Sequence, residues 1–340
     1  MNRKITQISK VLLTLSCAII LTFICYFFFI TLLVNPWLEN NQRELRVLNF
    51  YSQKNSSSVP EIYFLGTSQV KEGIDCNIIE DDFKKSNSSF ICYNLAVNGD
   101  TPLRRLIELD SIIKTKPEVV VIGTEYRDIY NSGTIADSRL ILVSDKIVSD
   151  KIILDTTSTE LFDKEQLRLL HLNPINRGIS NRIFIISYLN FMTLNKLIHN
   201  SVADYENRDN FKNPYKDSEN TPINEKIDRI NENPPIDDFP THYDNSTNKL
   251  ALRHIIQELQ KNNITVIVIN VPCDPLEFKY ISNSTRENYV SYLNNIEVPY
   301  YDFENRYPSN YFYDITHTNV QGRTAFSHDI AKIILKEVEK

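Results

Sequence analysis

Glycine is scarce, with seven residues in a chain of 340, and this excludes a collagen-like repeat. A hydrophobic content of 42% equally excludes a wholly disordered chain and is enough for a packed core. Cys-x-x-Cys is absent, and no His/Cys spacing suits zinc, so no metal site and no cofactor are expected. No internal repeat is visible. A basic excess is also missing: 37 Lys+Arg stand against 43 Asp+Glu, for a net charge of −6. Three of the bases, Arg3, Lys4 and Lys10, lie at the very start, so the remainder is more acidic still. Such a body gives no support for nucleic-acid binding and disfavours tight contact with anionic lipid.

The five cysteines are unevenly placed. Cys17 and Cys25 fall in an apolar run, and Cys76, Cys92 and Cys273 fall beyond it. Cys76 and Cys92 suit either a disulfide in an oxidising compartment or lone buried thiols. Asn-x-Ser/Thr sequons occur at Asn55, Asn87, Asn245, Asn263 and Asn283. They matter only in a host that glycosylates them.

Residues 11–34 carry no charge. That run exceeds the roughly 20 residues a helix needs to cross a bilayer. Bases precede it, while Glu39 and Glu44 follow it among Arg43 and Arg46. The positive-inside rule then places residues 1–10 in the cytoplasm and the rest outside. Trp37 suits the membrane interface. A cleaved signal peptide would have a shorter apolar core and small residues at its end. Here the end is Cys25-Tyr-Phe-Phe-Phe-Ile30, so an uncleaved anchor is expected. Residues 35–59 are polar and read as a stalk, with the folded domain at 60–340.

Within that domain, apolar runs alternate with helical spacing. Strands are predicted at 61–65, 90–94, 118–122, 265–271 and 298–303, and helices after Asp75, at 101–115, at 248–260, near 285–294 and at the C-terminus. Thr101 can cap a helix with Pro102 in its first turn, and Thr318-Asn-Val-Gln321 fits a capping box. This rhythm argues for a parallel sheet with helices on both faces, whose ligands sit beyond the carboxyl ends of the strands. Residues 129–248 interrupt it and read as an insertion. Helices are predicted there at 140–154, 161–172 and 182–199, followed by a polar, Pro-rich stretch. Tyr188, Tyr205, Tyr215 and Tyr243 in the insertion are candidates for stacking on sugars.

Three segments carry chemistry. Gly66-Thr-Ser68-Gln follows the first strand, where a sharp turn exposes a serine hydroxyl. Asn98-Gly99 follows the second strand, where a glycine N–H can approach a substrate oxygen. Asp314-Ile-Thr-His317 precedes the final helix, where a carboxylate can hold one imidazole nitrogen and leave the other to take the serine's proton. His171, His199, His242, His254 and His328 read as surface or core residues.

Together these blocks resemble the SGNH (GDSL-like) hydrolase superfamily, in its single-pass, membrane-anchored branch that acts on cell-surface polymers. The carrying segments are Gly66-Thr-Ser68-Gln-Val-Lys-Glu-Gly-Ile-Asp75, Tyr93-Asn-Leu-Ala-Val-Asn-Gly99-Asp-Thr-Pro102 and Asp314-Ile-Thr-His317-Thr-Asn-Val-Gln-Gly322. The resemblance implies an α/β fold, a flavodoxin-like three-layer sandwich with a parallel sheet, a helical and loop insertion, and an N-terminal transmembrane helix. It implies Ser68 as nucleophile, His317 as base, Asp314 as its orienter, and the N–H groups of Ser68 and Gly99 as an oxyanion hole. The family's third block supplies an Asn side chain to that hole. Here the equivalent turn is Gly123-Thr-Glu-Tyr-Arg-Asp128, without Asn, so Asn98, Thr124 and Arg127 become candidate substitutes. The implied activity is a serine esterase or O-acyltransferase acting on acyl esters of a surface glycan or other acylated polymer. The alternative is a catalytically degenerate partner or scaffold of a membrane acyltransferase system, and an adhesin-like binding module is a third reading.

Overall fold

A computed structural model describes residues 2–34, 42–54, 57–130, 140, 143, 156–171, 185, 189, 211–213, 220–232 and 246–339. The chain opens with helix α1 (Asn2–Phe29), followed by α2 (Arg43–Gln53) and strand β1 (Glu61–Leu65). Two short helices, α3 (Ser68–Gly73) and α4 (Cys76–Lys85), lead to β2 (Ile91–Asn94). Next come α5 (Pro102–Arg105), α6 (Leu109–Thr115), β3 (Val119–Thr124) and α7 (Tyr126–Tyr130). The described parts of the expected insertion hold α8 (Thr156–Glu160), α9 (Lys164–Leu170) and α10 (Ile223–Glu232). The rhythm then resumes with α11 (Thr247–Lys261), β4 (Thr265–Asn270), α12 (Pro275–Phe278), α13 (Asn283–Asn294), β5 (Tyr300–Asp302) and α14 (Val320–Val338).

The strands form one parallel sheet in the order β2-β1-β3-β4-β5. This is the flavodoxin-like doubly wound order, with its switch point between β1 and β3. Strands buried on both faces need apolar residues at every position. In β1 and β3 every residue is buried, and successive side chains divide between two cores. Tyr63, Leu65, Val120, Ile122, Val266 and Val268 face one apolar cluster, shared with α2, α6, α11 and α13. Ile62, Phe64, Val119, Val121, Ile267 and Ile269 face the other, shared with α4 and α14. The result is three layers.

The helix boundaries follow local chemistry. Asp75 caps α4 by accepting from Asn77 N at 2.9 Å, and Thr101 caps α5 by accepting from Arg104 N at 3.4 Å. The span expected as one helix at 101–115 is broken into α5 and α6. The final helix is capped by Asn319, not Thr318: the Asn319 carboxamide accepts from Gly322 N at 3.0 Å. Of the expected insertion helices, α9 lies within 161–172. Most of 182–199 and of 140–154 falls outside the described residues, as do Tyr188, Tyr205, Tyr215 and Tyr243. Cys76, Cys92 and Cys273 are buried free thiols.

Residues 10–34 form one helical span long and apolar enough to cross a membrane by length and composition. Val34 at its end is buried within the larger apolar cluster, with Phe29 and Ile30 packed against it. The expected stalk contains a docked helix. In α2, Leu45, Val47, Leu48 and Tyr51 are buried at helical spacing, a pattern masked by the polar residues between them. Arg43 Nε donates to Ala96 O at 2.6 Å and Arg43 Nη2 to Asn94 O at 2.5 Å. Glu44 pairs with Arg104, and Lys54 pairs with Glu61 at 2.7 Å. Residues 42–54 are therefore integral to the domain.

Replacing Arg43 by Met orphans two buried carbonyls and is expected to cost on the order of 2–4 kcal/mol. Urea unfolding of the full chain in detergent measures it.

Candidate active site

The site forms where β1, β2 and β3 end. Gly66 closes β1 at φ +147°, a conformation that favours glycine. A Cβ there would also lie 2.7 Å from Gly123 O and 2.5 Å from Val70 Cγ2. Because the chain can turn this tightly, Ser68 becomes the first residue of α3. At that position its N–H has no acceptor within the helix. The fully buried Asn94 caps the other end of α3, its amide donating to Val70 O at 3.2 Å, Lys71 O at 3.1 Å and Ile74 O at 3.0 Å.

The pairing of β1 with β2 continues beyond the strands. Leu95 N donates to Phe64 O at 2.8 Å and Val97 N to Gly66 O at 2.9 Å. This runs the second loop alongside the serine turn and brings Gly99, at φ +60°, to the rim of the same cleft. Arg105 braces the loop from beneath, pairing with Asp100 and Glu108 and donating to Leu95 O at 2.9 Å.

The last segment comes from the far end of the chain. Arg323 Nε of α14 donates to Glu72 O of α3 at 2.7 Å, and Asp75 N donates to Ser327 Oγ at 2.9 Å. The turn before α14 folds back on itself through a Phe312–Thr318 bridge. His317 is thereby set over α3, with its Nε2 2.8 Å from Ser68 Oγ. Its Nδ1 lies 2.8 Å from Asp314 Oδ2. Asp314 Oδ1 accepts from Thr316 N at 2.8 Å and from His317 N at 2.6 Å. The carboxylate thus fixes the tautomer with the proton on Nδ1, which leaves Nε2 to accept from the serine. The Tyr313 ring stacks on the imidazole, centroids 5.6 Å apart, and its hydroxyl donates to Glu72.

The electrostatics agree with that geometry. Burial disfavours the Asp314 carboxylate, but hydrogen bonds from His317 and the neighbouring amides outweigh it and hold its pKa below the ordinary value of 3.8. Burial likewise disfavours the imidazolium, yet Asp314, with Glu72 and Glu125 nearby, raises His317 above 6.5.

The hydroxyl faces an open cleft of about 330 Å³. Gln69, Gly99, Thr101, Glu125, Arg127 and Thr316 contribute to its walls. Arg127 donates to both Glu125 oxygens, at 3.0 and 2.6 Å, and pairs with the buried Glu277 at 2.9 Å. Burial pushes the Glu277 carboxyl up to about 8, Arg127 notwithstanding. Among the candidate substitutes for the missing Asn, Thr124 is buried with its hydroxyl 2.6 Å from that of Tyr289. Asn98 is exposed at the tip of its turn and does not line the cleft, whereas Arg127 does. Arg127 is a candidate from its place after β3, but its pairing with Glu277, the Gln69–Glu125 contact and the Asn94 cap depend on residues that meet only after folding. Among the described residues no cluster could hold a metal ion.

One family model matches residues 215–339. No curated protein matches the chain. Solved structures similar to it include a lipase/acylhydrolase from Enterococcus faecalis, at 12% identity and TM-score 0.41, covering 81% of this chain and 95% of that one. A GDSL-like lipase from Bacteroides thetaiotaomicron matches at 11% identity and TM-score 0.39, covering 88% and 98% respectively. A family two carbohydrate esterase from Clostridium thermocellum, solved with cellohexaose, matches at 8% identity and TM-score 0.38, covering 84% and 66%.

The His317 ring is expected to titrate above pH 6.5 by NMR, and Asp314→Asn to bring it down. The raised imidazole stabilises the fold fully below 6.5, and this is lost as pH rises through its folded value. The depressed carboxylate stabilises above 3.8, and this is lost as pH falls through its folded value. Asp314→Asn is therefore expected to lower the unfolding temperature more at pH 5 than at pH 9.

Proposed function

We propose that the protein is a membrane-anchored serine esterase or O-acyltransferase of the SGNH type, acting on acyl esters of a surface glycan or another acylated polymer. The observation that carries this reading is the unbroken line from Asp314 to His317 to Ser68, with 2.8 Å at each step, opening on a cleft at the carboxyl edge of a parallel sheet.

Each residue has a role in that chemistry. Ser68 Oγ attacks the acyl carbonyl while His317 Nε2 takes its proton. Asp314 stabilises the imidazolium so formed. The N–H groups of Ser68 and Gly99 face the developing oxyanion, and the Arg127 guanidinium adds positive charge to the same cleft. The tetrahedral intermediate collapses, and the departing alcohol takes the proton from His317. An acyl-enzyme remains on Ser68. His317 then deprotonates water, or a hydroxyl of an acceptor, and the attack of that oxygen releases the acyl group and restores the serine. Hydrolase and transferase differ only in this second acceptor.

Two further features shape the proposal. The residues that line the cleft are polar or glycine, with no large apolar side chain among them to receive a long acyl chain. The acyl group is short and the rest of the substrate is polar. The apolar helix at residues 10–34 is the anchor, with the sheet domain outside the membrane. An extracytoplasmic domain tied to a membrane suits a substrate that is itself part of the cell surface.

A fluorophosphonate probe is expected to label wild-type protein at Ser68 and to leave Ser68→Ala unlabelled. Ser68→Ala is also expected to lower kcat for a short acyl ester on the order of 10⁶-fold. Folded wild-type protein that neither labels nor hydrolyses would favour the scaffold reading instead. An acetyl ester is expected to exceed the octanoyl ester in kcat/KM by about tenfold or more, because no large apolar side chain lines the cleft to hold the added methylenes.

A further inference from the structure

We propose that residues 220–226, from the segment inserted between β3 and β4, form a strap that positions the Asp314–His317 turn, with Lys226 as its buried pin. This rests on the reading of Ser68 and His317 as the reacting pair.

The turn at 309–319 lies between β5 and α14 and has to hold an imidazole in hydrogen-bond reach of a serine on another element. A loop of that length has many conformations, and fixing one requires contacts from outside it. Lys226, on α10, supplies the densest set. Its Nζ donates to Phe312 O at 2.9 Å, to Ser309 O at 3.3 Å and to Asp274 Oδ2 at 2.9 Å. An ammonium has three N–H groups, and all three are committed here. Lys226 is 2% exposed and Asp274 is not exposed at all. Asp274 extends the grip, since its Oδ2 accepts from Ser309 Oγ at 2.8 Å and its N–H donates to Ile315 O at 3.1 Å. Two further contacts come from the strap itself. Thr221 N donates to Tyr313 O at 2.7 Å, and the Asn319 amide donates to Asn220 Oδ1 at 2.9 Å. The carbonyls of residues 309, 312, 313 and 315 are thus held on both sides of Asp314.

A buried ion pair is a poor way to gain stability, because desolvation offsets most of the attraction, and an apolar pair of similar volume commonly does as well. An apolar pair has no donors to aim at two backbone carbonyls. The ammonium therefore contributes direction, and direction is what a base needs. Lys226 touches neither Ser68 nor His317 in the contacts described, so it is a positioning residue. Its influence passes through Phe312 and Tyr313 to Asp314 and the stacked imidazole.

The test uses the full chain in detergent, with kcat, KM, the rate of fluorophosphonate labelling and the His317 titration measured for three variants. Lys226→Met is expected to lower kcat about 10- to 100-fold with KM nearly unchanged, the loss expected when a reacting group moves by an ångström or less. Lys226→Arg keeps the charge and donors and is expected to recover most of that loss. Asn220→Ala alters an exposed residue, so its unfolding temperature is expected to stay at the wild-type value while kcat falls about threefold or more. In Lys226→Met and Asn220→Ala the His317 pKa is expected to drop towards 6.5, because a looser turn weakens its bond to Asp314. Should Lys226→Met fail to fold, Asn220→Ala decides the matter: wild-type kcat and wild-type His317 titration in that variant overturn the strap. A wild-type protein that neither labels nor hydrolyses refutes the esterase reading, and the titration then still reports whether the strap holds the turn.

Discussion

The contact between Ser68 and His317 is made by residues 249 positions apart, and the rest of the site depends on it. No local preference can produce it. It exists because two parts of the fold are locked at short range: α3 to the end of β1 through Gly66, and α14 to α3 through Arg323 and to Asp75, the cap of α4, through Ser327. The second lock is made of backbone-to-side-chain hydrogen bonds. Side-chain packing brings the elements together, and these directional bonds then set their register to within the tolerance of a hydrogen bond.

Much of this was legible before folding. The strands announced themselves because β1, β3 and β4 are buried on both faces and carry almost no polar residue. Asp75 and Thr101 marked helix starts because their side chains serve the adjacent turn, a purely local event. The Asp314–His317 spacing was readable for the same reason, since the carboxylate accepts from the amides two and three residues ahead. The parallel sheet followed from the alternation of strand and helix, and its flavodoxin-like layering was what the family resemblance implied.

Other parts were not legible, for reasons that share one cause. The helix α2 lies in a polar stretch that reads as a stalk, since Arg43, Glu44 and Lys54 look like solvated residues. Each in fact finds a distant partner, in Asn94, Arg104 and Tyr93. Lys226 gave no hint either: its partners lie 48 and more positions further along the chain. A polar residue in a linear sequence reads as exposed unless its partner is nearby. The Thr318 cap was displaced by one position to Asn319, which also reaches Asn310 O and the strap. The cleft wall of Glu125 and Arg127 stands where the resembled family has an asparagine. There the Arg127 guanidinium is held between Glu125 and Glu277.

The burial of Val34 beside the domain's apolar core limits how the site can be used. Only residues 35–41 separate it from the start of the docked helix region, and that many residues reach at most about 25 Å even when fully extended. On the proposed reading of α1 as a membrane anchor and of Ser68 as a nucleophile towards surface esters, the domain is held on a leash with almost no slack. Encounters with substrate then depend on how densely acyl groups populate the enzyme's own surface, and hardly on their concentration in bulk. Such an enzyme works as a resident of its surface, repeatedly visiting the same small neighbourhood while lateral diffusion replaces what it has already treated.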